Sequence, residues 1–266
     1  MREKRYPDYA VNTDWIIGNA GFFIFHTDRI DREYFMLTSW NKLPDYMKTA
    51  EVKPYYDSLN MRRFSLLVKR VFDCVAAFIL LVILAVPMLI IAVWIKIDSN
   101  GPVFYRQERV TKDGKRFRIH KFRTMVANAD QIGTSVTVDD DKRITRVGKR
   151  LRSLRLDELP QVLDVLSGNM SFVGTRPEAV KYVEQYKPEY YATLLLPAGI
   201  TSEASIRYKD ENKLLSTADD VDRVYLEHVL PDKMKWNLHE IKRFSLLREL
   251  GTMIRTVAAV CGKNFE

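Results

Sequence analysis

Two cysteines in 266 residues leave no disulfide framework to build on. One of them, Cys74, opens an apolar stretch, so a reducing, cytosolic setting is expected. The four histidines, His26, His120, His228 and His239, show no metal-ligand spacing, and His120 reads as an ordinary strand residue. There is no glycine-rich phosphate loop, no internal repeat, and no Ser–His–Asp arrangement that the sequence alone reveals. The opening Met-Arg-Glu-Lys-Arg is not followed by the apolar core and small-residue cleavage site of a secretory leader, so none is expected.

What the chain has instead is one long run without charge. Cys74 to Ile95 is 22 residues with no polar side chain stronger than a thiol. As a straight helix it would be about 33 Å long, enough to cross a bilayer core. A membrane protein is expected unless the run is buried in a large core. Basic residues stand on both flanks: Arg62, Arg63, Lys69 and Arg70 before it, Lys96, Arg106 and Arg109 after it. Basic flanks favour the cytoplasmic side, and here both do. Pro87 removes one backbone donor within the run and disturbs the preceding turn. The expectation is a re-entrant helix kinked at Pro87, with both ends on the inner face of the membrane.

The net charge of +8 is unevenly spread. Residues 1–60 carry 8 basic and 9 acidic side chains, whereas Lys142, Arg143, Arg146, Lys149, Arg150, Arg152 and Arg155 crowd a short block. Such a block implies an acidic partner: nucleotide phosphates, anionic lipid or nucleic acid. Residues 1–60 also hold 12 aromatics, among them Trp15, Phe22, Phe23, Phe25, Trp40, Tyr55 and Tyr56. Two readings stand for them, an accessory cap packed on the main body and a set of membrane-interface aromatics.

After a Ser99–Pro102 turn, Val103–Gln107 reads as a strand. Lys112-Asp113-Gly114-Lys115 reads as a hairpin turn, and Phe117–Arg123 alternates apolar with basic residues, as a half-buried strand does. The polar face of this hairpin is expected to carry Arg116, Arg118 and His120, with Lys121 or Arg123 nearby. Residues 126–145, with Asp139-Asp140-Asp141, read as a loop. Leu159, Val162, Leu163 and Leu166 form a helical stripe that Gly168 ends, and Pro160 fits its first turn. Another helix is expected over Ile241–Val260, its stripe of Ile241, Phe244, Leu247, Leu250, Ile254 and Val257 facing either the core or a membrane surface.

Asp157 and Glu158 thus stand at a helix start, directly after the basic block. Carboxylates there often do no more than complement the helix dipole, worth about 0.3–1 kcal/mol each. Arg152 and Arg155 add a second reading, because arginines lower a carboxylate's pKa and bind phosphate. An ionised carboxylate in such company is suited to Mg²⁺ shared with substrate phosphates, or to attack on phosphorus.

Six further stretches occur in a fixed order: Lys69-Arg70-Val71-Phe72-Asp73 with the apolar run, Gly101–Arg109, Lys121–Met125, Arg143–Gly148, Leu156–Gln161, and Met170–Gly174 followed by Arg176-Pro177. From Lys69 to Thr201, and more loosely beyond, the chain resembles the bacterial sugar transferases, the monotopic polyprenyl-phosphate phosphoglycosyl transferases. The resemblance implies transfer of a sugar-1-phosphate from a UDP-sugar to polyprenyl (undecaprenyl) phosphate, with release of UMP. It implies Asp157 as nucleophile and Mg²⁺ ligand, Glu158 as its dyad partner, and Lys121, Arg152 and Arg176 as phosphate-binding residues. It implies a monotopic protein with its catalytic region at the cytoplasmic membrane face, initiating a cell-surface glycan.

Two positions depart from the family pattern. Thr175 stands where Gly-Pro-Arg-Pro is usual, and Ala198 and Ser202 alter the usual Pro-Gly-Ile-Thr-Gly. Both are expected away from the dyad. The expected fold is α+β: mainly helical, with a small β-hairpin, the re-entrant helix and amphipathic surface helices. Its expected division is an accessory segment 1–60, a basic flank and membrane helix 61–98, and a catalytic region 99–266. Two rival readings are a non-enzymatic basic protein of the membrane surface and a nucleic-acid binder. The first leaves Asp157-Glu158 unexplained, and the second lacks any recognition motif, so no nucleic-acid partner is expected. A homo-oligomer is compatible with the sequence.

Overall fold

The computed structural model describes residues 37–129, 141–208 and 220–260. Trp15, Phe22, Phe23 and Phe25, most of the acidic loop including Asp139 and Asp140, and Cys261 lie outside the described residues.

The longest element is α2 (Arg63–Asp98), which follows the short α1 (Lys53–Asn60). At 36 residues it is about 54 Å long, and helix continues on both sides of Pro87. One stripe faces the protein: Leu66, Arg70, Asp73, Ala77, Ile91 and Ile95 are buried, with Leu81 and Met88 partly so. The other stripe, including Phe64, Val71, Val75, Phe78, Val82, Val86, Leu89, Val93 and Ile97, is exposed. Only 11% of its most apolar 18 residues is buried, so the helix is not enclosed in a soluble core. An apolar helix left bare along one side is a candidate membrane segment.

Two of the basic residues assigned to its flank have another task. Lys69 is buried and donates to Glu249 Oε2 at 2.8 Å and to the Val173 carbonyl at 3.0 Å. Arg70 is buried too and donates to the Val165 and Leu166 carbonyls at 2.7 and 3.2 Å. These cations tie the helix to the protein and do not face lipid headgroups.

The segments on either side of α2 share one hydrophobic core. Leu43, Met47, Val52, Tyr56 and Leu59 precede the helix; Val110, Tyr182, Tyr191, Leu230 and Met234 follow it; all are buried together. Thr38 donates to Asp113 Oδ2 at 2.6 Å, linking the two segments again. The described aromatics of this region, Trp40, Tyr46, Tyr55 and Tyr56, pack on or into that core.

The hairpin pairs β1 (Phe104–Val110) antiparallel with β2 (Arg116–Phe122), Phe104 opposite Phe122 and Val110 opposite Arg116. At the turn, Asp113 (φ 56) and Gly114 (φ 76) take the left-handed conformation that Asp-Gly supplies readily. Phe117 and Ile119 are buried against Val162 and Val165. By the period of two, Lys121 points with them and not with Arg118 and His120. The expected polar face is therefore corrected: Lys121 projects to the inner side.

A second sheet went unforeseen. β3 (Met170–Val173) and β4 (Ala198–Thr201) pair in parallel, Met170 opposite Ala198. Between the sheets lie α3 (Arg146–Ser153), a 3-10 turn over Leu156–Glu158, and α4 (Gln161–Leu166). Three short helices follow: α5 (Val180–Val183), α6 (Glu203–Arg207) and α7 (Val221–Val224), the last continuing through a π turn into α8 (Leu230–Lys242).

The single helix expected over Ile241–Val260 is two, since α8 ends at Lys242 and α9 runs Leu246–Val260. Ile241 and Phe244 are buried, whereas Leu247, Leu250, Ile254 and Val257 are exposed. Along one straight helix these six would spread over roughly 200°, too wide for a single face. The break lets the first two enter the core while the rest face outward, which removes the core-facing reading for α9. The class is as expected, mainly helical α+β with a small antiparallel hairpin.

Candidate active site

Asp157 and Glu158 owe their position to four restraints. Thr145 Oγ1 accepts the Gly148 amide at 2.9 Å and Asp98 Oδ2 accepts the Val147 amide at 3.1 Å, which fixes the start of α3. Gly148 has no room for a side chain, since a Cβ would lie 2.0 Å from the Thr124 carbonyl. After α3 the chain reverses at Arg155, left-handed at φ 56, and enters the 3-10 turn that carries both carboxylates. A non-glycine residue there is uncommon, and such backbone is concentrated at functional sites.

The fourth restraint is His120. The Asp164 carboxylate, buried within α4, accepts the His120 amide at 2.8 Å and lies 2.8 Å from its Nδ1. This pins β2 to α4, so the neighbouring Lys121 is held opposite the 3-10 turn. Lys121 Nζ donates to Glu158 Oε1 at 2.8 Å.

Arg176 arrives from the parallel sheet. A Cβ on Gly199 would lie 2.2 Å from Gly174, so β4 can run this close to the residue that follows β3 only with glycine there. The Gly199 amide donates to the Thr175 carbonyl at 2.8 Å, and the Ala198 amide to Thr111 Oγ1 at 3.0 Å. The two departures from the family pattern therefore meet at this close approach. Thr175 lies nearer the dyad than the sequence implied, because the next residue, Arg176, donates to both Glu158 oxygens, at 3.2 Å to Oε2 and more closely to Oε1.

The two carboxylates differ sharply. Burial alone would raise Glu158, but Arg176 and Lys121 outweigh it and hold the group well below the usual carboxylate range. Asp157 has no hydrogen bond or ion pair to its carboxylate among the described residues. Burial pushes its pKa up; Lys121 opposes this, Glu158 adds to it, and Arg152 and Arg176 oppose it more weakly. The expectation that arginines dominate its ionisation is corrected, for desolvation prevails. Pairs pushed apart in this way are a frequent mark of sites with divided acid and base roles.

Both carboxylates line a cavity of about 520 Å³, together with Lys121, Arg152 and Arg176. All five residues singled out in the sequence are thus brought to one place. The Arg152 guanidinium makes no hydrogen bond among the described residues. Sequence reasoning missed Arg109, Glu178, Tyr225 and Lys233, which also line the cavity. Arg109 and Glu178 had a local signal, lying within or next to motifs already noted. Tyr225 and Lys233 had none.

Among the described residues no three acidic, histidine or cysteine side chains converge as a ready metal site. Mg²⁺ commonly needs only one or two protein carboxylates when substrate phosphates supply other oxygens. Asp157 suits that pattern, being uncommitted and facing the cavity. Glu158 does not, because Lys121 and Arg176 occupy it.

The bacterial sugar transferase family matches residues 64–263. A UDP-N-acetylgalactosamine-undecaprenyl-phosphate N-acetylgalactosaminephosphotransferase of Aeromonas hydrophila is 38% identical over 73% of this chain and 43% of its own length. A UDP-glucose:undecaprenyl-phosphate glucose-1-phosphate transferase of Caulobacter vibrioides is 36% identical over 72% of this chain and 69% of its own. The corresponding Escherichia coli transferase is 40% identical over 60% of this chain and 35% of its own. The match therefore spans less than half the length of the Aeromonas and Escherichia relatives.

Proposed function

We propose, for a chain that belongs to the bacterial sugar transferase family, that it moves a sugar-1-phosphate from a UDP-sugar to a polyprenyl phosphate such as undecaprenyl phosphate. An Asp157 oxygen attacks the sugar-bearing β-phosphorus. The bond from that phosphorus to the bridging oxygen breaks, and UMP leaves with the electron pair. A phosphate oxygen of the lipid then attacks the same phosphorus, and the bond to Asp157 breaks, restoring the carboxylate and giving a lipid diphosphosugar. The observation that carries this reading is the unlike pair: an uncommitted carboxylate facing a cation-lined cavity, beside one held ionised by Lys121 and Arg176. Lys121, Arg152 and Arg176 offset phosphate charge as it builds up. Mg²⁺, when bound at Asp157, supplies further neutralisation of the pyrophosphate. The product fits the first lipid-linked step of a cell-surface glycan, and two relatives are named for exopolysaccharide production.

We further propose that α2 is re-entrant, with catalysis at the cytoplasmic membrane face. What supports this is the shared core: residues 37–60 and the chain beyond α2 pack together, so opposite sides of a bilayer would pull that core apart. Residues on both sides of Pro87 also meet one strand, Ala77 clustering with Phe117 and Ile119, and Ile91 with Phe122. Cysteines introduced at Lys53 and at the exposed Lys115, next to Gly114, should react from the same side of sealed vesicles. Reaction from opposite sides would show that the helix simply spans.

The activity is tested with purified protein, Mg²⁺ and a panel including UDP-glucose and UDP-N-acetylgalactosamine. Without lipid, the protein should gain the mass of one phosphosugar and release about one equivalent of UMP; polyprenyl phosphate should make release continuous, and EDTA should stop it. Release only when lipid is present, with no mass gain, would refute the covalent route.

A further inference from the structure

The residues lining the cavity include one group beside the end of α2 and another beside Tyr182 and Tyr225, and in-line chemistry decides between them. An incoming and a departing oxygen at phosphorus lie roughly opposite one another. UMP must leave from the position opposite Asp157, and the lipid phosphate must later attack from that same position. The sugar oxygen is a side substituent in both steps. UMP and the lipid phosphate therefore share one group, and the sugar needs the other.

The shared group has to be open to lipid. The one beside α2 meets that need. Arg123 there donates to Ser99 and Asn100 at the end of the apolar helix, at 2.6–3.0 Å. Phe104 and Val126 are exposed beside it, and Arg152 and Arg155 flank Leu154, which is 60% exposed. Cations within an apolar rim suit a lipid phosphate.

The residues of the other group are buried. Tyr182 and Tyr225, their rings 4.6 Å apart, belong to the large buried core. Glu178 is buried, and its Oε1 accepts the Tyr225 hydroxyl at 2.6 Å and Lys233 Nζ at 3.5 Å. Its Oε2 has no hydrogen bond among the described residues. Burial opposes ionisation here, but Lys233, the Tyr225 hydroxyl and Arg109 together hold Glu178 below its ordinary range. An anchored carboxylate with one open oxygen has the chemistry of a polyol site, because it accepts hydroxyl protons.

Resting on the proposed transfer reaction, we infer that the Glu178–Tyr225–Lys233 end of the cavity binds the sugar of the UDP-sugar donor and sets sugar selectivity. UMP and the lipid phosphate take the arginine-lined end in turn.

The test separates sugar from nucleotide. KM for UDP-glucose and UDP-N-acetylgalactosamine, and Ki for UMP as inhibitor, are measured for wild type, Glu178→Gln and Tyr225→Phe. The expected result is a rise of about tenfold in KM for the preferred UDP-sugar, the loss of one charged hydrogen bond, with Ki for UMP unchanged. The preference between the two donors should narrow as well. Parallel rises in KM and Ki would place the uridine at this end and overturn the inference; so would no change in either. Tyr225→Phe retains the ring and removes only the hydroxyl, so it decides the matter on its own should Glu178→Gln fail to fold. A wild-type protein inert with every UDP-sugar would overturn the transfer reaction itself, a result distinct from both.

Discussion

Two clusters of acids and bases line separate cavities. The first holds Asp157 and Glu158 among Lys121, Arg152 and Arg176. The second holds Asp73, Glu203, Glu240 and Glu249 with Lys69 and Arg255, where α2, α6, α8 and α9 meet. Both contain carboxylates that burial pushes upward, Asp157 in one, Glu240 and Glu249 in the other. A shifted carboxylate by itself therefore does not mark the reactive centre. The commitment of the cations does. In the first cluster Arg152 makes no hydrogen bond among the described residues and faces the cavity, as an anionic substrate requires. In the second, cations are spent joining elements: Lys69 to Glu249 at 2.8 Å, Arg255 to Glu203 at 2.7 Å.

The sharpest test of this contrast exchanges one residue in each cluster. Asp157→Asn removes the nucleophile and should lower turnover by at least about 10³-fold, with the melting temperature nearly unchanged. Lys69→Met should do the reverse. It strands Glu249 and Asp73 without their cation, a loss of about 3–5 kcal/mol. Chemical denaturation in detergent reads the second effect and UMP release per folded molecule reads the first. Activity loss per folded molecule in Lys69→Met would erase the distinction.

A smaller change probes the asymmetry within the first cluster. Glu158→Gln removes a negative neighbour that raises Asp157 and frees Lys121 and Arg176 to act on it. The folded-state pKa of Asp157 should fall, so the acidic limb of the pH–rate profile should move to lower pH. Turnover should drop about 10²-fold as the cations lose their anchor. An acidic limb that stays in place would mean that Glu158 does not act on Asp157 through charge.

Local pattern explains what was legible beforehand. The hairpin, its Asp113-Gly114 turn and the helix after Pro160 each follow from spacing or turn chemistry within a few residues. The dyad stood out because two carboxylates followed a dense basic block. The parallel pair β3–β4 left no such trace: Met170–Val173 is buried at every position, so it shows no period of two. Lys121 was assigned to the wrong side because its charge was allowed to outweigh its parity in the strand. The Glu178–Lys233 pair joins residues 55 apart, and no local pattern announces such a partnership. The break after Lys242 was hidden because an apolar stripe looks the same whether it meets core or lipid.

The smallest expected effect lies in the second cluster, at Glu240. Burial raises its carboxyl from 4.5 to about 7, and nearby Glu203 and Glu249 add to the shift, while the Glu203 amide and Arg255 oppose it. Charged groups from α2, α6, α9 and the α8–α9 break surround this region, among them Lys69, Asp73, Glu203, Arg207, Arg243, Arg248, Glu249 and Arg255. Because the folded-state pKa lies above the unfolded one, the folded protein binds more protons between about pH 4.5 and 7. Glu240 therefore favours folding at low pH, and its contribution turns unfavourable as pH rises through that window. Glu240→Gln abolishes the titration while retaining an acceptor for the Glu203 amide. At pH 8 it should stabilise the protein by about 1–2 kcal/mol, below the full value of the shift because the group keeps some contact with solvent. At pH 4.5 the variant and the wild type should be nearly equal. Denaturation midpoints at the two pH values check this, and turnover at pH 8 should not change, since Glu240 does not line the cavity of Asp157. A variant less stable at pH 8 than at pH 4.5, relative to wild type, would mean that the Glu240 charge is compensated within its cluster, and that the cations there are not all spent on joining elements.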